Sequence, residues 1–180
     1  MELYLLADTA RKFFLRDQFR SAIEQIATET GDTVFLLIRS GNDVLCIDRV
    51  EGEYPIRMMT IDVGVRKPLG IGAGSLSLIA FLQDGEFEKI LRANANRFAK
   101  YSMTVENLRA LGLASRSQGY VLSENLFHEG VTSIGVPIMN QKDEIVAAIT
   151  VSTVSQRMPA ERCNGIALLV KKIAYSCQCI

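Results

Sequence analysis

The sequence predicts an α+β domain in which one mostly antiparallel sheet of about six strands is flanked by helices. Apolar residues at three- and four-residue spacing predict helices at both ends and in the middle, and alternating apolar residues between polar turns predict strands. The predicted order is helix, three strands, three helices, three strands, helix. Because strands that follow one another are joined by short turns, we expect them to pair mainly antiparallel.

The composition bounds the size and class of the protein. A chain of 180 residues predicts one domain with its own buried core. Hydrophobic residues make up 48%, charged residues 22%, and the formal net charge is zero. Without a basic excess, this chain is not expected to bind nucleic acid by itself. It has neither a signal peptide nor an apolar run that could span a bilayer, so we expect no membrane partner and a cytoplasmic location.

The four cysteines do not form a metal-binding or disulfide pattern. No Cys-x-x-Cys pair occurs, and the chain has one histidine. Cys163 and Cys177 fall on the apolar stripe of a final helix that begins at Pro159. Buried free thiols in a reducing cytoplasm are the expected state. We therefore expect no metal site and no cofactor.

The first part of the chain predicts one helix followed by extended segments. Apolar spacing predicts a helix over residues 8–30, which Gly31 ends as a C-terminal cap. Strands are predicted at 33–39 and 44–50 on either side of a Gly-containing turn. A third extended segment is predicted over 54–61.

A glycine-rich stretch at residues 64–75 precedes a predicted helix at 75–82. It reads Gly-Val-Arg-Lys-Pro-Leu-Gly-Ile-Gly-Ala-Gly-Ser. Glycine permits backbone conformations that are closed to other residues, and the free N–H groups of a helix start favour an anion. The glycines alone leave two interpretations open: the floor of a small-molecule site, or a tight turn with a glycine cap.

The second part of the chain predicts two more helices and then strands. Asp84 and Thr104 are each placed to cap a helix. Strands are predicted at 119–123, 131–139 and 144–153. The last two are joined by a four-residue polar turn and read as a hairpin.

Small hydroxyl side chains interrupt these apolar strands. Ser133 lies in one strand, and Thr150 and Ser152 lie in the next. Buried hydroxyls need partners, which neighbouring backbone groups or a ligand could supply. Together with the N–H groups of the glycine-rich helix start, they suit the carboxylate or hydroxyl of a ligand in a mostly apolar pocket.

No arrangement of residues predicts catalysis. His128 lies in a polar loop, where a solvated side chain is the expected state. Ser75 lacks the Gly-x-Ser-x-Gly context of a nucleophile elbow. The glycines at 70, 72 and 74 are not followed by the β-α-β unit of a dinucleotide site. We expect no catalytic residue and no enzymatic activity.

Two motifs are distinctive. The first, at residues 64–69, reads Gly-Val-Arg-Lys-Pro-Leu and is followed by small residues at a helix start. The second comprises Gly119-Tyr120, Glu129-Gly130, Ser-Ile-Gly-Val-Pro-Ile at 133–138 and Ile-Val-Ala-Ala-Ile-Thr-Val-Ser at 145–152, with Arg157 beyond. Their content and spacing resemble the effector-binding domain of the IclR family of bacterial transcriptional regulators, from about residue 10 onward.

The resemblance implies a GAF-like fold and a role in sensing. Residues 1–12 would be the end of a linker helix and residues 13–180 the effector-binding domain. A winged helix-turn-helix DNA-binding domain would lie upstream. A small organic acid would bind as effector and alter DNA binding by that domain, within a homodimer or homotetramer.

The resemblance also places the pocket. Family pocket positions fall on Ile56, Met59, Ala73, Gly74, Ser123, Ser133, Thr150 and Ser152, and the backbone N–H groups from Gly72 to Ser75 would hold a carboxylate. Ile56 and Met59 have opposite strand parity, so either the strand bends there or one placement is wrong.

This chain departs from the family pattern around the same pocket. Many members have His at the position of Gly70, Ser or Thr at that of Gly72, and Gly-Lys at that of Ser75-Leu76. Members that bind small oxoacids carry an acidic residue at Ser123 and Cys at Ser133. These differences predict a ligand other than those oxoacids.

Two other functions remain to be weighed. One is a GAF-like enzyme such as a reductase of free methionine sulfoxide, which requires reactive thiols in the pocket. The other is a pure dimerisation module, which requires no cavity beside Gly74.

Overall fold

The computed structural model describes the backbone of residues 2–177 and the side chains of residues 13–177. Its elements in chain order are α1 Glu2–Thr30, β1 Thr33–Ser40, β2 Asp43–Val50, β3 Arg66–Pro68, α2 Ala73–Ala80, α3 Asp84–Phe98, α4 Val105–Ser115, β4 Val121–Glu124, β5 Val131–Met139, β6 Ile145–Val154 and α5 Ala160–Cys177. Short 3₁₀ turns follow α3 at Ala99–Tyr101 and β6 at Ser155–Arg157.

The predicted α+β class is confirmed. The six strands form one sheet in the order β3-β2-β1-β6-β5-β4, and every neighbouring pair is antiparallel. The centre of the sheet is β1 beside β6, in the register Phe35 opposite Thr150. The two halves of the chain therefore meet at the middle of the sheet.

Both faces of the sheet are buried. Along β1, Val34 and Leu36 belong to a core under α1 and α5, whereas Phe35 and Leu37 belong to a second core under α2, α3 and α4. This follows from the two-residue period of a strand. It also explains why β1 reads as a continuous apolar run, as strands covered on both faces do. From Ala148 onward the even-numbered residues of β6, such as Thr150, face α2.

A buried carboxylate holds the corner between α1 and β1. The side chain of Asp32 accepts hydrogen bonds from Arg157 Nε at 3.2 Å and Arg162 Nη2 at 2.7 Å. Arg162 Nη2 also donates to Thr30 O at 2.8 Å. These contacts tie the end of α1 to the start of α5.

The prediction of a third strand over 54–61 is wrong. The third strand is β3, and residues 51–65 form an irregular connection to it. Pro55 has no N–H to give to a strand ladder. The other donors of this segment bond elsewhere: Gly52 N–H to Asp32 O at 3.1 Å, and Tyr54 N–H to Gly31 O at 2.9 Å.

Several predicted boundaries shift. The first helix begins at Glu2 and not at residue 8, and α2 spans Ala73–Ala80 and not 75–82. The predicted division at residue 12 lies inside α1. The side chains of residues 1–12 are outside the described part, as are residues 178–180, so that division stays a prediction. None of the helices within residues 2–177 combines the length and apolar character that a membrane crossing requires.

Helix α2 lies directly on the sheet because a glycine faces it. A Cβ at Gly135 of β5 would overlap Ala73 O and Gly74 N at the first turn of α2. Only a residue without a side chain lets the backbone of the helix approach this closely. A glycine also lets α4 pack closely against α3, because a Cβ at Gly112 would lie 2.6 Å from Phe87 Cζ.

Gly135→Ala tests this close approach. We expect it to destabilise the fold by about 1–3 kcal/mol, since the new methyl group meets backbone atoms that cannot rotate away. Urea denaturation of the purified chain measures the change. Gly165→Ala is the matched control, because a Cβ at Gly165 in α5 meets nothing within 4 Å. It should leave stability unchanged or raise it by up to about 1 kcal/mol. Equal effects of the two variants would contradict the packing argument.

Candidate functional site

A cavity lies between the sheet and the start of α2. Its interior measures about 60 Å³, and the cavity opens to solvent at its mouth. Its apolar wall comes from the sheet and from the segments that flank α2, with Phe35, Leu37, Val44, Ile61 and Ile71. The loop before β3 and the loop between β4 and β5 border its mouth. The cavity therefore combines the middle of the sheet with two loops that are distant in sequence.

The floor of the cavity is the uncapped start of α2. Gly70 and Gly72 have φ values of 106° and 100°, which favour glycine. Gly72 is the N-cap residue and offers no side chain to the helix. Its carbonyl accepts from Leu76 N–H at 2.9 Å, so the N–H groups of residues 73–75 precede the first intrahelical bond. Such a helix start favours an anion.

The wall opposite this helix start carries a hydroxyl with no partner. Thr150 Oγ1 is buried and has no hydrogen-bond partner within the described residues. It lies against Gly74, where a Cβ would overlap Thr150 Oγ1 and would lie 2.7 Å from Leu37 Cδ1. A buried hydroxyl without a partner is unfavourable, and this one belongs to a residue that lines the cavity.

Three of the other predicted hydroxyls, those of Ser75, Ser133 and Ser152, have protein partners. Ser133 and Ser152 are opposite each other in the β5–β6 register, with their Oγ atoms 2.7 Å apart. Ser123 is paired with Ser133 in the β4–β5 register and is buried. Ser75 Oγ accepts from Gly70 N–H at 3.0 Å, which stabilises the glycine-rich turn. The Ser75 side chain is therefore already bonded within the protein.

The structure brings eight of the ten predicted site residues to this cavity. They are Gly72, Ala73, Gly74, Ser75, Ser123, Ser133, Thr150 and Ser152. Whether they bind a ligand remains a prediction.

The other two predicted site residues, Ile56 and Met59, lie outside the lining of this cavity, and their role in effector binding stays a prediction. Their side chains are 52% and 56% exposed and do not line the cavity. The segment is not a strand, and its backbone is held outside the cavity by bonds such as Met58 N–H to Thr33 Oγ1 at 3.2 Å. Thr60 and Ile61 of the same loop line the cavity instead.

Sequence reasoning missed two basic side chains. Lys67 of β3 and His128 of the β4–β5 loop both line the cavity. Burial lowers the pKa of Lys67. Burial, and then the nearby charge of Lys67, lower the pKa of His128. Lys67 lies inside the glycine-rich stretch, which was a usable signal, whereas nothing in the polar loop marked His128.

The comparison with family models decides the classification. The model of the "Bacterial transcriptional regulator IclR C-terminal" family matches residues 8–178. The chain belongs to the IclR family of bacterial transcriptional regulators. The resemblance drawn from the two sequence motifs is thus confirmed.

Relatives and solved structures agree with this membership. The chain is 33% identical over 148 residues to the probable transcriptional regulator SauR of Cupriavidus necator, covering 79% of this chain and 57% of SauR. It is 27% identical over 168 residues to the HTH-type transcriptional regulator KipR of Bacillus subtilis, covering 92% and 66%. The Thermotoga maritima IclR crystal structure superimposes with a TM-score of 0.81 at 25% identity, covering 97% of this chain and 73% of that one.

The described residues of this cavity do not include a thiol that could react with a ligand. None of the described residues that line it is a cysteine. Cys46 lies in β2, and burial raises the pKa of its thiol to about 12. Such a thiol is a poor nucleophile because it stays protonated. The relatives are also named as transcriptional regulators.

Thr150→Val tests whether the Thr150 hydroxyl is without a partner. Valine keeps the shape and removes the hydroxyl, so we expect stability to stay the same or to rise by up to about 1 kcal/mol. Thr132→Val is the matched control, because the buried Thr132 Oγ1 donates to Ser155 Oγ at 2.9 Å. It should destabilise by about 1 kcal/mol. Urea denaturation without added ligand compares the two; a clear loss in Thr150→Val would show that its hydroxyl is already bonded.

Proposed function

We propose that this chain is the ligand-sensing and oligomerisation domain of an IclR-type regulator. A small organic acid binds in the cavity and alters DNA binding by a winged helix-turn-helix domain upstream. The observation that carries the proposal is the unpartnered Thr150 hydroxyl beside the uncapped start of α2. The N–H donors of α2 and the Thr150 hydroxyl lie together there in a mostly apolar cavity. Small-molecule sites usually have this character.

The acid binds with its carboxylate toward α2. The N–H groups of residues 73–75 donate to the carboxylate oxygens, and the positive end of the helix dipole favours the charge. Thr150 Oγ1 bonds to the same group or to a neighbouring hydroxyl of the ligand. Phe35, Leu37 and Ile61 contact the apolar part.

Binding acts on DNA through the arrangement of subunits. The chain spans about 57% and 66% of the length of the two curated relatives, so the DNA-binding domain belongs to the part of the protein outside this chain. The protein works as a homodimer or homotetramer in the cytoplasm. The ligand favours one arrangement, and so one spacing of the DNA-binding domains, to the extent that it binds that arrangement more tightly.

The cavity favours a sensor over a pure dimerisation module. A domain that only holds two chains together gains nothing from a buried hydroxyl without a partner, and filling the space with apolar side chains would make it more stable. The Thr150 hydroxyl is therefore better explained by a ligand.

Calorimetry and thermal shift against short carboxylic acids test the proposal. We expect at least one acid to bind the wild-type chain and raise its melting temperature. Thr150→Val should weaken the binding of that acid by about tenfold or more, because it removes one hydrogen bond to a charged group. Ser133→Leu should abolish binding by filling the cavity.

Thr132→Val is the control for altered stability, because Thr132 does not line the cavity. It should bind the acid as the wild type does. Undiminished affinity in both Thr150→Val and Ser133→Leu would mean that the acid binds elsewhere. Failure of every short acid to bind would contradict the proposal itself.

A further inference from the structure

We infer that Lys67 and His128 form a second anion-binding contact at the mouth of the cavity, and that the ligand is a short acid with two anionic groups. The inference rests on the proposed function, since it assigns the class of acid that the cavity binds. It starts from two basic side chains that line the same cavity from different parts of the fold.

Lys67 carries a half-buried charge without an acidic partner. Its Nζ donates to Thr60 O at 2.6 Å. An ammonium group has three donors, so this bond leaves two for other acceptors. Within the described residues no carboxylate contributes to its surroundings, and burial alone lowers its pKa. A charge that is partly desolvated and lacks a counterion is favoured by an incoming anion.

His128 approaches the same space from the β4–β5 loop. The titratable groups that line the cavity beside it are Lys67 of β3 and Tyr101 of the 3₁₀ turn after α3. Glu124 and Glu129 are near in sequence, but both are exposed and neither lines the cavity. The charge of Lys67 is the one that acts on the pKa of His128, and it lowers it. The two side chains therefore repel each other when both are protonated, which an anion between them would relieve.

This contact is separate from the helix start. The ammonium of Lys67 is directed to Thr60 O in the loop before β3. The turn before α2 is closed by Ser75, which binds Gly70 N–H. The helix start and the basic pair both line the cavity, while no aspartate or glutamate is among the described residues that line it. In the inferred complex one anionic group of the ligand lies at the helix start and a second lies beside the basic pair, which then has a counterion.

The basic pair makes binding depend on pH. Without ligand, the lowered pKa keeps His128 mostly neutral near pH 7. A bound anion favours the protonated imidazole and raises that pKa. Binding of a diacid therefore takes up a proton, and the diacid binds more tightly as the pH falls through the pKa range of His128.

His128 can be followed directly because it is the single histidine of the chain. NMR titration of its imidazole signals gives its pKa with and without probes. The probes are the diacids malonate, succinate and glutarate, and the monoacids propionate, butyrate and valerate, which match them in length. We expect at least one diacid to raise the pKa of His128 in a saturable way and to bind at least tenfold more tightly than its matched monoacid.

Variants of Lys67 separate this contact from the rest of the site. Lys67→Met should raise the pKa of His128 in the free protein and reduce the preference for the diacid to less than threefold. Lys67→Arg should retain the preference, since it keeps the charge. Lys142→Met is the control for loss of a lysine, because Lys142 lies exposed in the β5–β6 turn. Lys142→Met should change neither the pKa of His128 nor the preference for the diacid.

The outcomes distinguish the inference from the proposed function. If the amide signals of residues 73–75 move with a monoacid while no diacid changes the pKa of His128, the inference is overturned and the proposed function stands. If no acid moves these amide signals, the proposed function fails. A preference for the diacid that persists in Lys67→Met would also overturn the assignment of Lys67.

Discussion

The close contact between the start of α2 and the sheet is the constraint on which the cavity depends. Two positions permit it: Gly135 in β5, where a side chain would overlap the helix backbone, and Gly74 in α2, where one would overlap Thr150 Oγ1. With ordinary residues at either position the helix would have to lift from the sheet. Because it does not, the first N–H groups of α2 lie within reach of the hydroxyls of the central strands. Backbone donors and strand hydroxyls can then act on one small ligand.

This contact leaves polar groups without the partners that a stable fold normally supplies. Gly72 gives α2 no side-chain cap, and Thr150 Oγ1 has no bond among the described residues. Comparable groups at two other places in the described chain are satisfied. Thr104 caps α4 by accepting from Asn107 N–H at 3.1 Å, and Asp32 is held by two arginines. At this cavity an uncapped helix start and an unpartnered buried hydroxyl occur together, and a combination of broken local rules at one place is a reason to look for function there.

The rest of the fold holds the central strands in place and puts loops at the borders of the cavity. The sheet is buried between α1 and α5 on one face and α2 to α4 on the other, so the hydroxyl-bearing strands are fixed from both sides. The borders of the cavity are loops, and loops carry the groups that differ between relatives. In this chain the β4–β5 loop contributes His128, and the short edge strand β3 contributes Lys67.

The sequence by itself determined the fold class, the antiparallel pairing and most of the cavity floor and wall. Apolar periodicity and glycine position are local properties, so β5, the glycine-rich turn and residues such as Gly74 and Thr150 could be identified without coordinates. The tertiary structure decided the rest, because it depends on contacts between distant segments. The third strand is Arg66–Pro68 and not 54–61 as predicted, because the donors around Pro55 bond to the α1–β1 corner. The tertiary structure also placed Ile56 and Met59 in solvent, and it brought His128 beside Lys67, a proximity that no local pattern records.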